Sequence, residues 1–120
     1  MVNAIGRFLI SAIFIITGIQ HLLHWHEKSA SVASKGLPAP DLFLFLAVVL
    51  MIGGGVLLVS GTRTRLGAIA LLVFLIPVTL LYHNFWAAAP AEYQGQFIQF
   101  LKNLAIMGGL VVLLAPSRRG

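Results

Sequence analysis

Cysteine is absent from this chain of 120 residues, and only three residues are acidic. Without cysteine, the chain cannot carry out thiol–disulfide chemistry, ligate an iron–sulfur cluster or attach haem covalently. The acidic residues Glu27, Asp41 and Glu92 all lie outside the long apolar runs. Proton-coupled export needs a carboxylate within the membrane, so a small transporter is disfavoured. The sequence has no nucleotide-binding glycine loop and no evident nucleophile–base pair, so whether the chain is an enzyme stays open.

Charge is also scarce: charged residues form 9% of the chain, whereas hydrophobic residues form 59% and the mean hydropathy is +0.98. A soluble domain of this length could not bury so much apolar surface in one core, so we predict a single integral membrane domain over residues 1–120. The net charge of +5 comes from basic residues at segment ends. This distribution favours membrane orientation over nucleic-acid binding.

Four apolar runs are long enough to cross a bilayer. They cover about residues 5–23, 42–60, 66–82 and 97–115. The predicted fold is therefore all-α, a bundle of four transmembrane helices. The short segment 61–65 can only turn the chain back, which makes the second and third spans an antiparallel hairpin.

Two connections and one glycine cluster add local predictions. Residues 27–35 can continue as an interfacial helical turn or two that Gly36 ends, and Asp41 is expected to cap the second span. Gly53, Gly54 and Gly55 are expected to let a neighbouring helix approach closely.

The basic residues also predict the orientation. One side carries arginines without acids, and the other carries three lysines balanced by the three acids. The arginines are Arg7, Arg63, Arg65, Arg118 and Arg119. The excess of positive charge marks the cytoplasmic side, so both termini are predicted to be cytoplasmic and the histidines to lie at the outer ends.

Helical spacing places polar stripes at the outer ends of three spans, around His21, around His83 and around Asn103. We expect these stripes to face inward, because a polar stripe that faces lipid leaves hydrogen bonds unmade. Lys102 lies about 20 Å from the inner boundary of a hydrocarbon core about 30 Å thick. An ionisable residue at that depth is a candidate for function, and snorkelling to the headgroups is the alternative.

The histidine-rich end of the first span contains weak candidates for metal ligands, His21, His24 and His26. No recognised metal motif is present, so we favour contacts with headgroups and neighbours over a metal or haem site. Tyr82 and Trp86 fit an aromatic belt at the membrane boundary, with a quinone-stacking pocket as the alternative.

Three short motifs stand out beside the apolar runs: GTRTRL at residues 61–66, HNFW at residues 83–86 and FLKNL at residues 100–104. With them, the sequence resembles the DoxX family of small bacterial membrane proteins. The resemblance implies a multi-pass protein of the bacterial inner membrane, related to components of quinone-linked oxidoreductase systems. The family-like polar positions are His83, Asn84, Lys102 and Asn103.

Two functional hypotheses follow. In the first, the chain is a redox-associated membrane subunit with a protein partner, and it binds a quinone-like or other small amphipathic ligand at the outer ends of the helices. The predicted ligand-binding residues are His21, Tyr82, His83, Asn84, Trp86, Lys102 and Asn103. In the second, the chain is a non-enzymatic scaffold that anchors a partner protein. Glycine-rich faces leave both packing within the chain and a homodimer open.

Overall fold

The computed structural model describes residues 2–115, which form five α-helices and one 3₁₀ turn and contain no β-strand. The helices are α1 (Val2–Leu23), α2 (Trp25–Ser34), α3 (Pro40–Ser60), α4 (Thr64–Tyr82) and α5 (Pro90–Val112), and the 3₁₀ turn is Phe85–Ala87. Arg118 and Arg119, which entered the count of basic residues, lie outside the described residues.

Four of these helices, α1, α3, α4 and α5, are long and apolar enough to cross a membrane. The predicted all-α fold with four spanning helices is therefore confirmed. The last of them begins at Pro90 rather than near residue 97. A proline is favourable at the first helical position because the N–H that it lacks would have no partner there.

Glycines follow the ends of two helices, and the sequence predicts this role for Gly36. Gly36 follows α2 with a φ of +82°, and Gly61 follows α3 with a φ of +77°. The Gly61 N–H donates to the carbonyl of Leu58 at 3.2 Å. A left-handed residue after the last turn is common at helix ends, and glycine adopts it without the steric cost of a Cβ.

Helix α3 forms the centre of the bundle, because it packs against α1 and α2 as well as α4. Helix α5 packs mainly against α4. It is the least buried spanning helix: 6% of the residues in its 18-residue apolar stretch are buried, compared with 33% in α3. The largest fully buried side chains form the centre of the core. They are Ser11, Leu44, Met51, Leu58, Leu71, Thr79 and Leu110.

One charged side chain connects α1 to the end of α3. Arg7 donates from Nη1 to the carbonyl of Leu58 at 2.9 Å and from Nε to Asn3 Oδ1 at 2.7 Å. The last carbonyls of a helix have no partner within it, and the Leu58 carbonyl accepts hydrogen bonds from both the Gly61 N–H and the guanidinium. We call this end of the bundle, with Arg7 and Gly61, the arginine end; the opposite end, with His21 and His83, is the histidine end.

Candidate ligand-binding cavity

Glycines hold the three central helices close together toward the arginine end. A Cβ built on Gly67 of α4 would lie 2.9 Å from the carbonyl oxygen of Gly54 in α3, and one on Gly55 would lie 2.6 Å from Ile15 of α1. Gly53 has no atom within 4 Å of its Cβ position. The predicted close approach is therefore confirmed for two glycines of the three.

Toward the histidine end, the same helices leave a cavity of about 800 Å³ between them. All five helices contribute to its walls, which are mostly apolar side chains. Four of the wall residues, Ile13, Phe43, Leu46 and Val73, are between 41% and 55% exposed. These half-exposed residues all lie on spanning helices, and the cavity is only partly enclosed.

Polar side chains gather at the histidine end of the cavity. The polar lining residues are Thr17, His21, Lys28, Ser31, Tyr82, His83 and Asn103. His83 Nδ1 lies 2.9 Å from Gln96 Oε1, and Asn103 Nδ2 donates to the buried hydroxyl of Thr79 at 3.0 Å. These two bonds connect α5 to the end of α4 and set the position of the polar wall.

His21 differs from these bonded side chains. Its Nδ1 is buried and forms no hydrogen bond of ordinary geometry among the described residues, although the Thr17 backbone lies close to the imidazole ring. A buried polar atom without a partner is costly, so a ligand that supplied one would gain binding free energy.

Comparison with known proteins assigns the family. The family model described as DoxX matches residues 2–84, which is more than half of the chain. The chain belongs to the DoxX family. Inner membrane protein YphA of Escherichia coli K12 is 28% identical over 109 residues, which cover 91% of this chain and 78% of YphA. Inner membrane protein YqjF of the same organism is 27% identical over 109 residues, with the same coverage of both chains. No solved structure matches significantly.

The DoxX match covers α1 to α4, the part of the chain that supplies most of the cavity wall. Of the residues predicted to bind a ligand, the structure brings together His21, Tyr82, His83 and Asn103 around this cavity. Their role in binding stays a prediction, because proximity to a cavity does not establish it.

The other three predicted residues of this DoxX protein lie elsewhere. Lys102 is exposed on α5, and Asn84 and Trp86 are not part of the cavity wall. Trp86 is 57% exposed, and its ring packs edge-on against Phe100 and Phe85. The aromatic part of the HNFW motif therefore packs the 3₁₀ turn against α5.

The other two histidines of the first connection do not contribute to the cavity. His24 and His26 are both exposed, and His24 Nδ1 lies 3.6 Å from Glu27 Oε1. Within residues 2–115, no three His, Asp or Glu side chains are close enough together to hold a metal ion.

Sequence reasoning missed the contribution of α2. Lys28, Ser31 and Val32 all line the cavity, and their spacing of three and four places them on one helical face. That spacing is visible in the sequence, so it could have indicated that α2 covers the cavity. The neighbouring Lys35 Nζ lies 4.8 Å from the centre of the Tyr82 ring, which brings the end of α2 to α4.

The predicted cap at Asp41 is wrong. Helix α3 begins at Pro40, its N-cap residue is Ala39, and no side chain caps it. Asp41 Oδ1 instead accepts hydrogen bonds from Trp25 Nε1 at 3.0 Å and from Ser29 Oγ at 2.5 Å. Its carboxylate therefore fastens α2 to the first turn of α3, and α2 is held over the cavity.

Proposed function

We propose that this DoxX protein resides in the inner membrane and binds a small amphipathic ligand from the bilayer in the cavity at the histidine end. The proposal rests on the cavity. It has a volume of about 800 Å³, and its walls are mostly apolar with polar side chains at one end. Small-molecule sites combine these features and typically measure about 300–1,000 Å³. The inner-membrane location is supported by two relatives named as inner membrane proteins and by the four apolar helices.

The arrangement of the cavity gives the ligand an orientation. The polar head would lie near His21 and His83, and the apolar part would extend along side chains such as Leu50 and Phe74 toward the middle of the bundle. The half-exposed rim would let such a molecule enter sideways from the lipid, without crossing water.

A redox-associated role would require the ligand to be a quinone. Its carbonyl oxygens could accept hydrogen bonds from His21, Tyr82 or His83, and a histidine could exchange a proton with it. A partner protein would then have to supply or remove electrons, because this chain has no cysteine and no evident redox group of its own.

The test is to fill the cavity with a large side chain. Ala47 lines it, so Ala47→Trp would occupy the space that the ligand needs. The matched control is Ala105→Trp, because Ala105 is exposed on α5 and does not line the cavity. Each protein is purified in mild detergent, and the lipophilic molecules that remain bound are identified by mass spectrometry.

We expect the wild type and the Ala105→Trp variant to retain one molecule in near-stoichiometric amount, and the Ala47→Trp variant to lose it. If all three proteins carry only bulk phospholipid, the proposal is wrong and the scaffold hypothesis is favoured. The proposal is also wrong if the Ala47→Trp variant keeps the bound molecule.

A further inference from the structure

The cavity carries charge of only one sign. Lys28 is the one lysine or arginine among the described residues that line it, and the Tyr82 hydroxyl adds a hydrogen-bond donor. No aspartate or glutamate of the described residues lines it. The polar end therefore offers donors and positive charge to whatever binds there.

The nearby carboxylates do not neutralise this charge. Asp41 is exposed and accepts its two hydrogen bonds from Trp25 and Ser29, and the Glu27 side chain is 79% exposed beside His24. Among the described residues, Lys28 forms no salt bridge. Lys28 is partly exposed, and an anion in the cavity would form a charge-assisted hydrogen bond with its ammonium group.

From this one-sided charge we infer that the ligand is a single-chain amphiphile with an anionic head group, a carboxylate or a phosphate. Its head group lies against Lys28 and the unpartnered nitrogen of His21, and its chain follows the apolar walls. The inference rests on the proposed function, since it assigns a ligand class to the same cavity. A neutral quinone would gain only hydrogen bonds there, whereas an anion gains charge-assisted ones, which are about twice as strong.

The experiment compares head groups on one chain. The purified full-length protein is titrated in mild detergent with oleate, oleoyl lysophosphatidate, oleyl alcohol and a decyl-substituted quinone, and bound ligand is counted by native mass spectrometry. We expect at least one of the two anions to bind about tenfold more tightly than the alcohol and the quinone, since the anion pairs its own charge with that of Lys28; a tenfold ratio corresponds to about 1.4 kcal/mol. The anion that binds more tightly identifies the natural ligand class: a fatty acid if it is oleate, or a product of phospholipid breakdown or synthesis if it is oleoyl lysophosphatidate.

Three variants test the role of Lys28. Lys28→Gln should bring the affinity for the anion down to that for the alcohol, and Lys28→Arg should keep the preference because it keeps the charge. Arg65→Gln is the control, because it removes the same unit charge from an exposed position at the arginine end. Thermal unfolding in detergent shows whether each of the three variants is as stable as the wild type before their affinities are compared.

The outcomes separate this inference from the proposed function. If the alcohol and the quinone bind the wild type as tightly as both anions, or if Lys28→Gln keeps the preference for the anion, the anionic head group is wrong and the cavity remains a ligand site. If none of the four compounds binds the wild type, both the inference and the proposed function fail.

Discussion

At the residue scale, Gly61 and Arg7 fit closely against each other at the arginine end. Gly61 has a φ of +77°, and a Cβ at this position would lie 2.8 Å from Arg7 Nη1. That nitrogen also donates to the carbonyl of Leu58. A side chain at residue 61 would therefore strain the backbone and displace the guanidinium from the end of α3.

Gly61→Ala should destabilise the protein. A left-handed conformation costs a residue with a Cβ about 1–2 kcal/mol, and displacement of Arg7 adds to that cost. Gly53→Ala is the matched control, because Gly53 is helical and has open space around its Cβ position. Thermal unfolding in detergent should show a lower midpoint for Gly61→Ala alone, and equal midpoints for the two variants would contradict this explanation.

Individual residues also mark where sequence reasoning succeeds and where it stops. Gly36 and Gly61 were predictable as helix ends because the requirement for a left-handed residue is local. The true partners of Asp41 lie 12 and 16 residues away, so no local pattern indicates them. Lys102 and Asn103 were both predicted to bind the ligand, but neighbouring residues on a helix point about 100° apart, and of the two only Asn103 lines the cavity.

At the scale of elements, α2 is a short helix held by contacts to its neighbours. It contains no buried residue, and Asp41 on α3 accepts hydrogen bonds from two of its side chains. An isolated helix of 10 residues is marginal in water, so these contacts largely determine whether α2 stays folded over the cavity.

Asp41→Ala should loosen α2 while the spanning helices stay intact. We expect amide hydrogen exchange in residues 25–34 to accelerate about tenfold, because the loss of hydrogen bonds to a charged group lowers the cost of local opening. Glu27→Ala is the control, since Glu27 is an exposed acid on α2 itself. Unchanged exchange in Asp41→Ala would show that α2 is held by other contacts.

At the scale of the whole molecule, hydropathy was sufficient to predict four spanning helices, because each apolar run has the length that a bilayer requires. The cavity could not be predicted in the same way. The cavity lies between α3 and α4, which are in close contact at Gly54 and Gly67. How far the two helices separate beyond that contact depends on the angle between them, and this angle is a property of the packed bundle.

The orientation in the membrane stays a prediction, with both termini in the cytoplasm. The lack of native cysteine allows a direct test with single-cysteine variants. Thr62→Cys is exposed at the arginine end, and Ser34→Cys is exposed at the end of α2. A membrane-impermeant maleimide should label Ser34→Cys in intact spheroplasts and Thr62→Cys only after permeabilisation, and the reverse pattern would invert the orientation.

The low burial of α5 has a consequence for biosynthesis. Within residues 2–115, helices α1, α3 and α4 contain all but one of the buried hydrophobic residues, and α5 adds only Leu110. Chains fold from the N-terminus as they leave the ribosome, so the first three spanning helices can associate in the bilayer before the last one is synthesised. Helix α5 would then dock onto an assembled trio, and its arrival would bring Asn103 and Gln96 to their partners and complete the polar wall of the cavity.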